Sequence, residues 1–267
     1  EILELAGLLE IEGVDCLNSG IGWHESRVST VAYVAPRVAW AEATAAIRRT
    51  VGIPVIPSNR INDPAVAESL IASGKCDLVS LSRQMLADAE FAAKAEAGIP
   101  EAINTCIACN QACLDMIFRM QPSTCLVNPR ALPEIELPSG RDDTRKRIGV
   151  VGAGAAGMTC AFEAAARGHD VTLFEKSDRL GGLLHLARNV PDKNEFDELI
   201  RYLGYRVRSE GVTVRLGASP SAEDLRGFDE IVLATGVRPR VPDFPGVNHP
   251  SVAGYEEILS GEREAGE

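Results

Sequence analysis

Four cysteines fall within one short stretch of this chain. Cys106, Cys109, Cys113 and Cys125 are spaced C-x2-C-x3-C-x11-C, while Cys16, Cys76 and Cys160 stand alone. A [4Fe–4S] cluster takes four thiolates held close enough to wrap one cubane. Three ligands in a tight loop, with a fourth returning after a short helix, meet that demand. Structural zinc is the alternative, but it commonly pairs two C-x2-C knuckles across a longer loop, and this chain has one. A disulfide reading is weaker still, because nothing marks the sequence as secreted. The spacing therefore favours the cluster and leaves the other two open.

Composition narrows the rest. At 267 residues and 45 % hydrophobic content, with mean hydropathy near zero, the chain has the make-up of a soluble globular protein of one large or two ordinary domains. No apolar run approaches the roughly 20 residues that cross a bilayer, and no basic-then-apolar leader opens it. A net charge of −11 argues against a nucleic-acid partner. Free thiols and a candidate cluster point to a reducing cytosol. Glu1 opens in the middle of a helical pattern and residues 262–267 complete no recognisable unit. The chain is therefore expected to be a piece of a longer protein.

Residues 1–100 alternate helix and strand. A helix over 1–12 leads to an apolar strand over 14–18, then a loop over 20–27 that carries Trp23 and His24. Residues 36–51 read as a helix and 53–56 as a strand ending at Ser58, Asn59 and Arg60. Asp63 caps the next helix, with Pro64 at its first position. Residues 77–81 read as a third strand ending at Ser82 and Arg83. Three such units in a row predict a parallel sheet, doubly wound or closed as a barrel. Arg60 and Arg83 follow consecutive strands, where (β/α)8 barrels commonly bind phosphate, and a guanidinium fork suits a phosphate dianion. The plainer alternative pairs each arginine with surface acids. Cys16, Cys76 and Cys160 read as small buried hydrophobes, and Trp23 as packing.

Residues 101–130 carry the cysteine segment and 131–146 a polar, proline-containing linker. A second domain is expected over 147–267. A strand at 147–151 runs straight into Gly152, Ala153, Gly154, Ala155, Ala156 and Gly157, then a helix, then a strand ending at Glu175. Strand, G-x-G-x-x-G, helix, strand and acid in that order form a dinucleotide-binding unit. Glu175 is expected to accept from ribose hydroxyls. Gly181 and Gly182 follow closely, and 230–236 reads as a buried strand ending in small residues. Both features favour FAD over NAD.

With these pieces assembled, the chain resembles the bacterial 2,4-dienoyl-CoA reductases, within the NADH:flavin oxidoreductases related to old yellow enzyme. The resemblance rests on residues 22–25, 58–64, 106–113 and 125–129, and on the x3 gap between Cys109 and Cys113. It implies the C-terminal part of an FMN-binding TIM barrel, a [4Fe–4S] loop, and an incomplete Rossmann-like FAD domain. Electrons would pass from NADPH through FAD, the cluster and FMN to the conjugated double bond of an enoyl or dienoyl thioester. Arg60, Ser82 and Arg83 match the FMN-phosphate positions. Cys106, Cys109, Cys113 and Cys125 match the cluster ligands. Residues 152–157, Glu175 and Gly182 match the FAD site. His24 matches an active-site histidine that works beside a proton-donating tyrosine. The sequence departs from the family in lacking the earlier barrel strands, that tyrosine and the NADPH domain. It also carries Gln84 for a usual proline and Leu183 for a common glutamine. A sibling enoate, bile-acid or amine oxidoreductase, and a non-catalytic electron carrier, are the rival readings.

Overall fold

Short apolar runs bounded by glycine and proline shape both halves of the chain. The computed structural model describes residues 1–23, 27, 28, 30, 32–131, 137 and 140–264. It divides into two compact units, Glu1–Glu136 and Leu137–Glu267.

In the first unit, helix α1 (Ile2–Ile11) precedes strand β1 (Leu17–Ser19), helix α2 (Ala41–Arg48) and strand β2 (Val55–Pro57). The two strands pair in parallel, Leu17 opposite Val55 and Ser19 opposite Pro57. Ala6, Val51 and Val55 are buried together, with Leu17, Ile47 and Ile53 packed on them. Helix α3 (Pro64–Ala72) starts where the sequence places it, and the Asp63 carboxylate accepts from the Ala65 and Val66 amides. Helices α4 (Arg83–Ala87), α5 (Phe91–Glu96) and α6 (Leu114–Phe118) complete the unit. The cysteine segment packs here and is not a separate body.

Several sequence expectations are corrected. Residues 77–81 form no strand. The Asp77 and Ser80 amides do donate to Val55 and Pro57 of β2. However, the Asp77 carboxylate takes the Val55 amide (2.9 Å), replacing a ladder bond with a side-chain bond. Helix α2 begins at Ala41 and not near residue 36. Val38 instead turns left-handed (φ 56°) and donates to the Arg60 carbonyl. Cys16 is exposed and Trp23 is 70 % exposed, so neither is a core residue.

The second unit runs β3 (Arg147–Val151), α7 (Ala155–Ala166), β4 (Asp170–Phe174), α8 (Leu184–Ala187), α9 (Phe196–Ser209), β5 (Thr213–Arg215), β6 (Glu230–Leu233) and α10 (Tyr255–Ser260). Its four parallel strands lie in the order β5-β4-β3-β6. The first two strands of a dinucleotide unit are adjacent in that order, and the direction of winding reverses beside β3. Met158, Ala161 and Phe162 of α7 and Leu199, Leu203 and Val207 of α9 are buried with the sheet residues Val150, Val171 and Leu173. Strand β6 is not the buried strand expected: it pairs only with β3, and Ile231 and Leu233 are exposed. Among the described residues no helix is long and apolar enough to cross a membrane.

Helix α7 approaches β3 at Gly157, where a Cβ would stand 1.8 Å from the Gly152 carbonyl oxygen. Gly157→Val should therefore lower the melting temperature followed by circular dichroism, at a cost of at least about 1–3 kcal/mol. Gly154→Ala, whose Cβ meets nothing within 4 Å, should cost no more than about 1 kcal/mol. Equal losses would mean that the helix–strand contact does not depend on Gly157.

Candidate functional site

The turn after β2 is conformationally costly. Asn59 (φ 73°) and Arg60 (φ 55°) both lie in the left-handed region, which non-glycine residues seldom enter. Hydrogen bonds fix it there: Asn59 Nδ2 donates to the Ile21 carbonyl, Arg60 Nε to the Ala35 carbonyl at 2.7 Å, and the Arg60 carbonyl accepts from Val38. Such strain gathers at functional sites, where the surroundings over-determine it. The turn forms one wall of a cavity, and residues 80–84, with Ser82 and Arg83, form another. The structure thus brings Arg60, Ser82 and Arg83 to one cavity. Burial draws the Arg83 guanidinium below its usual pKa; Cys113 and Cys106 oppose that, and the Arg60 charge adds to it. Two like charges around one opening, with Ser58, Asn59 and Asn62 beside them, suit an anionic occupant such as a phosphate monoester.

A second cavity adjoins the first. Cys106, Cys109, Cys113 and Cys125 all line it, with Arg83, Asn110 and the apolar Leu86, Ile107, Leu126 and Val127. The loop reverses through two left-handed residues, Ala108 (φ 53°) and Asn110 (φ 60°). Burial pushes the Cys106 thiol up to about 11 and raises Cys109 and Cys125 as well. Backbone amides work against that burial and favour the thiolates: Ala108 at Cys106, Gln111 at Cys109, and Val127 and Asn128 at Cys125. Among the described residues no three His, Cys, Asp or Glu side chains are grouped to hold a single metal ion. Four cysteines around one cavity, with backbone amides aimed at Cys106, Cys109 and Cys125, form a soft donor set of the kind that holds zinc or an iron–sulfur cluster.

The third arrangement is in the second unit. Gly152 turns the chain at φ 105°, and a Cβ on it would fall 2.3 Å from the Ala234 carbonyl oxygen. Gly154, at the N-terminus of α7, faces open space that a side chain would fill. A phosphate approaching the α7 backbone amides needs that opening. Gly182 (φ 51°) packs against Gly154, and the Gly181 amide donates to the Ala153 carbonyl. Glu175 is buried, and both its oxygens are engaged: Oε2 accepts from the Ala153 amide (2.7 Å), Oε1 from the Ser177 amide and hydroxyl. Burial alone would raise its pKa, but the Ser177 and Ala153 bonds outweigh it and hold the carboxyl below its usual range. Glu175 therefore orders the glycine turn itself, a role the sequence reading did not assign. Ala155 and Ala156 begin the helix that the motif opens.

His24 lies outside the described residues. Three residues escaped the sequence reading as site residues: Asn62, Gln84 and Asn110. Asn62 Nδ2 donates to the Cys106 carbonyl, and Gln84 accepts the Cys106 amide through Oε1 while donating to the Asn104 carbonyl. Arg83 Nη1 donates to Asn110 Oδ1 at 2.7 Å. No local pattern marks contacts between positions this far apart in sequence. The one signal was Gln84 standing where proline is usual.

Residues 13–102 match the model of the NADH:flavin oxidoreductase / NADH oxidase family, and residues 150–218 that of the NAD(P)-binding Rossmann-like domain. The chain is 39 % identical to a metal reductase of Desulforamulus reducens over 97 % of its length and 40 % of that protein's. It is 31 % identical to a cinnamate reductase of Clostridium sporogenes over 100 % of the chain and 40 % of that protein. A solved structure of 2-naphthoyl-CoA reductase with 2-naphthoyl-CoA superposes with a TM-score of 0.93 at 32 % identity, covering 99 % of this chain and 41 % of that one. The chain thus spans about 40 % of the length of the curated relatives it matches.

The lowered pKa of Glu175 has a pH signature. Its stabilisation is fully present above the ordinary glutamate range and is lost as pH falls through the lower folded value. Glu175→Gln should therefore flatten the acid side of the stability–pH curve, read as chemical-denaturation midpoints between about pH 7 and pH 3. Parallel curves for the two proteins would show that the Ala153 and Ser177 bonds do not stabilise the carboxylate.

Proposed function

We propose that this chain, whose residues 13–102 match the model of the NADH:flavin oxidoreductase / NADH oxidase family, is part of an iron–sulfur flavoenzyme reducing an activated C=C bond. The substrate class assigned is a conjugated enoyl thioester, with a 2,4-dienoyl-CoA as its specific form. NADPH is the assigned electron donor, and FAD, the [4Fe–4S] cluster and FMN carry the electrons onward. The observation that carries this reading is the adjacency of two cavities, one basic and one lined by four cysteines, sharing Arg83 and Cys106 as walls. A relay of single electrons needs its centres close together, and a shared wall supplies that. The names of the cinnamate and 2-naphthoyl-CoA reductases, both acting on conjugated systems, support the reaction class.

In this reading Arg60 and Arg83 hold the FMN phosphate, with Ser82 beside them. Each charge-assisted contact contributes on the order of 1.5–3 kcal/mol. Cys106, Cys109, Cys113 and Cys125 hold the cluster as thiolates, which backbone amides favour at Cys106, Cys109 and Cys125. The opening at Gly154 admits the FAD pyrophosphate to the start of α7, and Gly182 shapes its rim. Glu175 keeps acceptor capacity at Oε2, which accepts one bond, from the Ala153 amide, and has a second lone pair; that oxygen is assigned the ribose hydroxyls. His24 is assigned to the substrate carbonyl on the strength of residues 22–25. Flavins and cluster supply the hydride and one-electron chemistry when bound; the protein spaces and tunes them.

The full-length protein purified without oxygen should contain about four iron and four sulfide per chain. Cys109→Ser should remove both while FAD is retained. One zinc and no sulfide would refute the cluster. Anaerobic NADPH oxidation should be at least about tenfold faster, in kcat/KM, with a 2,4-dienoyl-CoA than with free cinnamate. The reverse order would replace the thioester with a free enoate as the substrate.

A further inference from the structure

The two cavities of the first unit meet at Arg83, which lines both. Its Nη1 donates to Asn110 Oδ1 at 2.7 Å, across 27 positions of chain. Asn110 lies between Cys109 and Cys113 in the left-handed region, so the turn that presents the cysteines also sets this acceptor. A guanidinium carries its donors in a rigid planar fork. An acceptor that engages one nitrogen fixes the plane, and with it the direction of the remaining donors. Two further bonds tie the loop to the same wall: Asn62 Nδ2 holds the Cys106 carbonyl and Gln84 Oε1 holds the Cys106 amide. Both residues line the basic cavity.

We propose that Asn110 is a positioning residue for anion binding in the basic cavity. From the cysteine loop it orients the Arg83 guanidinium toward a phosphate monoester, so that phosphate binding and closure of the cysteine loop favour one another. The inference rests on the reading of the first cavity as a flavin-phosphate site. Such coupling is reciprocal: whatever the ordered loop gives to phosphate affinity, bound phosphate gives back to the loop.

The test uses the full-length protein, stripped of FMN and titrated with FMN by flavin fluorescence, with iron, sulfide and FAD quantified in every variant. Asn110→Ala should weaken FMN binding about tenfold, the loss of one well-oriented charged hydrogen bond, with FAD content unchanged. In an Arg83→Ala background the same change should cost less than about twofold, because Asn110 acts through that guanidinium. Saturating FMN should slow bleaching of the cluster by an iron chelator in the parent protein and much less in Asn110→Ala. If Asn110→Ala carries no cluster, all four proteins are stripped of iron and compared by FMN affinity alone, with the same expected differences. Unchanged FMN affinity in Arg83→Ala would bring down the phosphate-site reading and this inference with it. A loss in Arg83→Ala that Asn110→Ala does not share, or two losses that simply add, would leave the phosphate site standing and overturn the coupling.

Discussion

The backbone on both sides of the Cys106 Cα is held by side chains, its amide by Gln84 and its carbonyl by Asn62. The neighbouring segment is secured in the same way. The buried Asp88 carboxylate accepts from the Asn104 amide (2.8 Å) and from Lys94. Asn104 Nδ2 reaches the Val127 carbonyl, and Asn128 Nδ2 the Leu86 carbonyl. The residues around the four cysteines include little regular structure, so their buried backbone groups have few ladder partners and must be satisfied otherwise. Each orphan left by removing one of these side chains costs about 1–3 kcal/mol. The cysteine geometry therefore depends on a polar network, and such networks specify one arrangement more sharply than apolar packing does.

That dependence explains what could be read from the sequence. The glycine motif, the Asp63 cap and the α7 and α9 helices are local: their signals lie within a turn or two of the residues they govern. Residues 77–81 have strand composition, yet Asp77 spends its carboxylate on Val55 of the neighbouring strand, a choice no periodicity reveals. Val38 breaks the expected helix because its amide serves Arg60, 22 positions away. Gln84 was visible only as a departure from proline. A proline there would offer neither the donor to Asn104 nor the acceptor for Cys106 that the glutamine supplies. The cavity walls were legible as types of residue and not as contacts.

Glycines in the second unit divide by task. Gly157 is required by packing and Gly154 by the space it leaves. Glu175 supports the turn that precedes them, since its bond to the Ala153 amide fixes the Gly152–Ala153 peptide. An acid at the end of the second strand thus preorganises the turn before any ligand arrives, which reduces the ordering cost of binding.

Apart from Met120, which is exposed and lines neither cavity, the described left-handed non-glycine residues of the first unit belong to the Arg60 turn or the cysteine loop, or bond to one of them. Val38, Asn59, Arg60, Ala108 and Asn110 all take positive φ, at a cost of roughly 1–2 kcal/mol each for a side chain bearing a Cβ. Four of them lie on or beside the two adjoining cavities, and Val38 is hydrogen-bonded to Arg60. A chain relieved of these conformations would let the Arg60 turn and the cysteine loop relax independently. Bonds to the Ala35 and Ile21 carbonyls hold the Arg60 turn, and the bonds of Asn110 to Arg83 and of Cys106 to Asn62 hold the cysteine loop. The strain and the polar network meet at the shared wall: backbone conformations that are unfavourable alone stand beside the Arg83–Asn110, Asn62–Cys106 and Gln84–Cys106 bonds that join the linings of the two cavities.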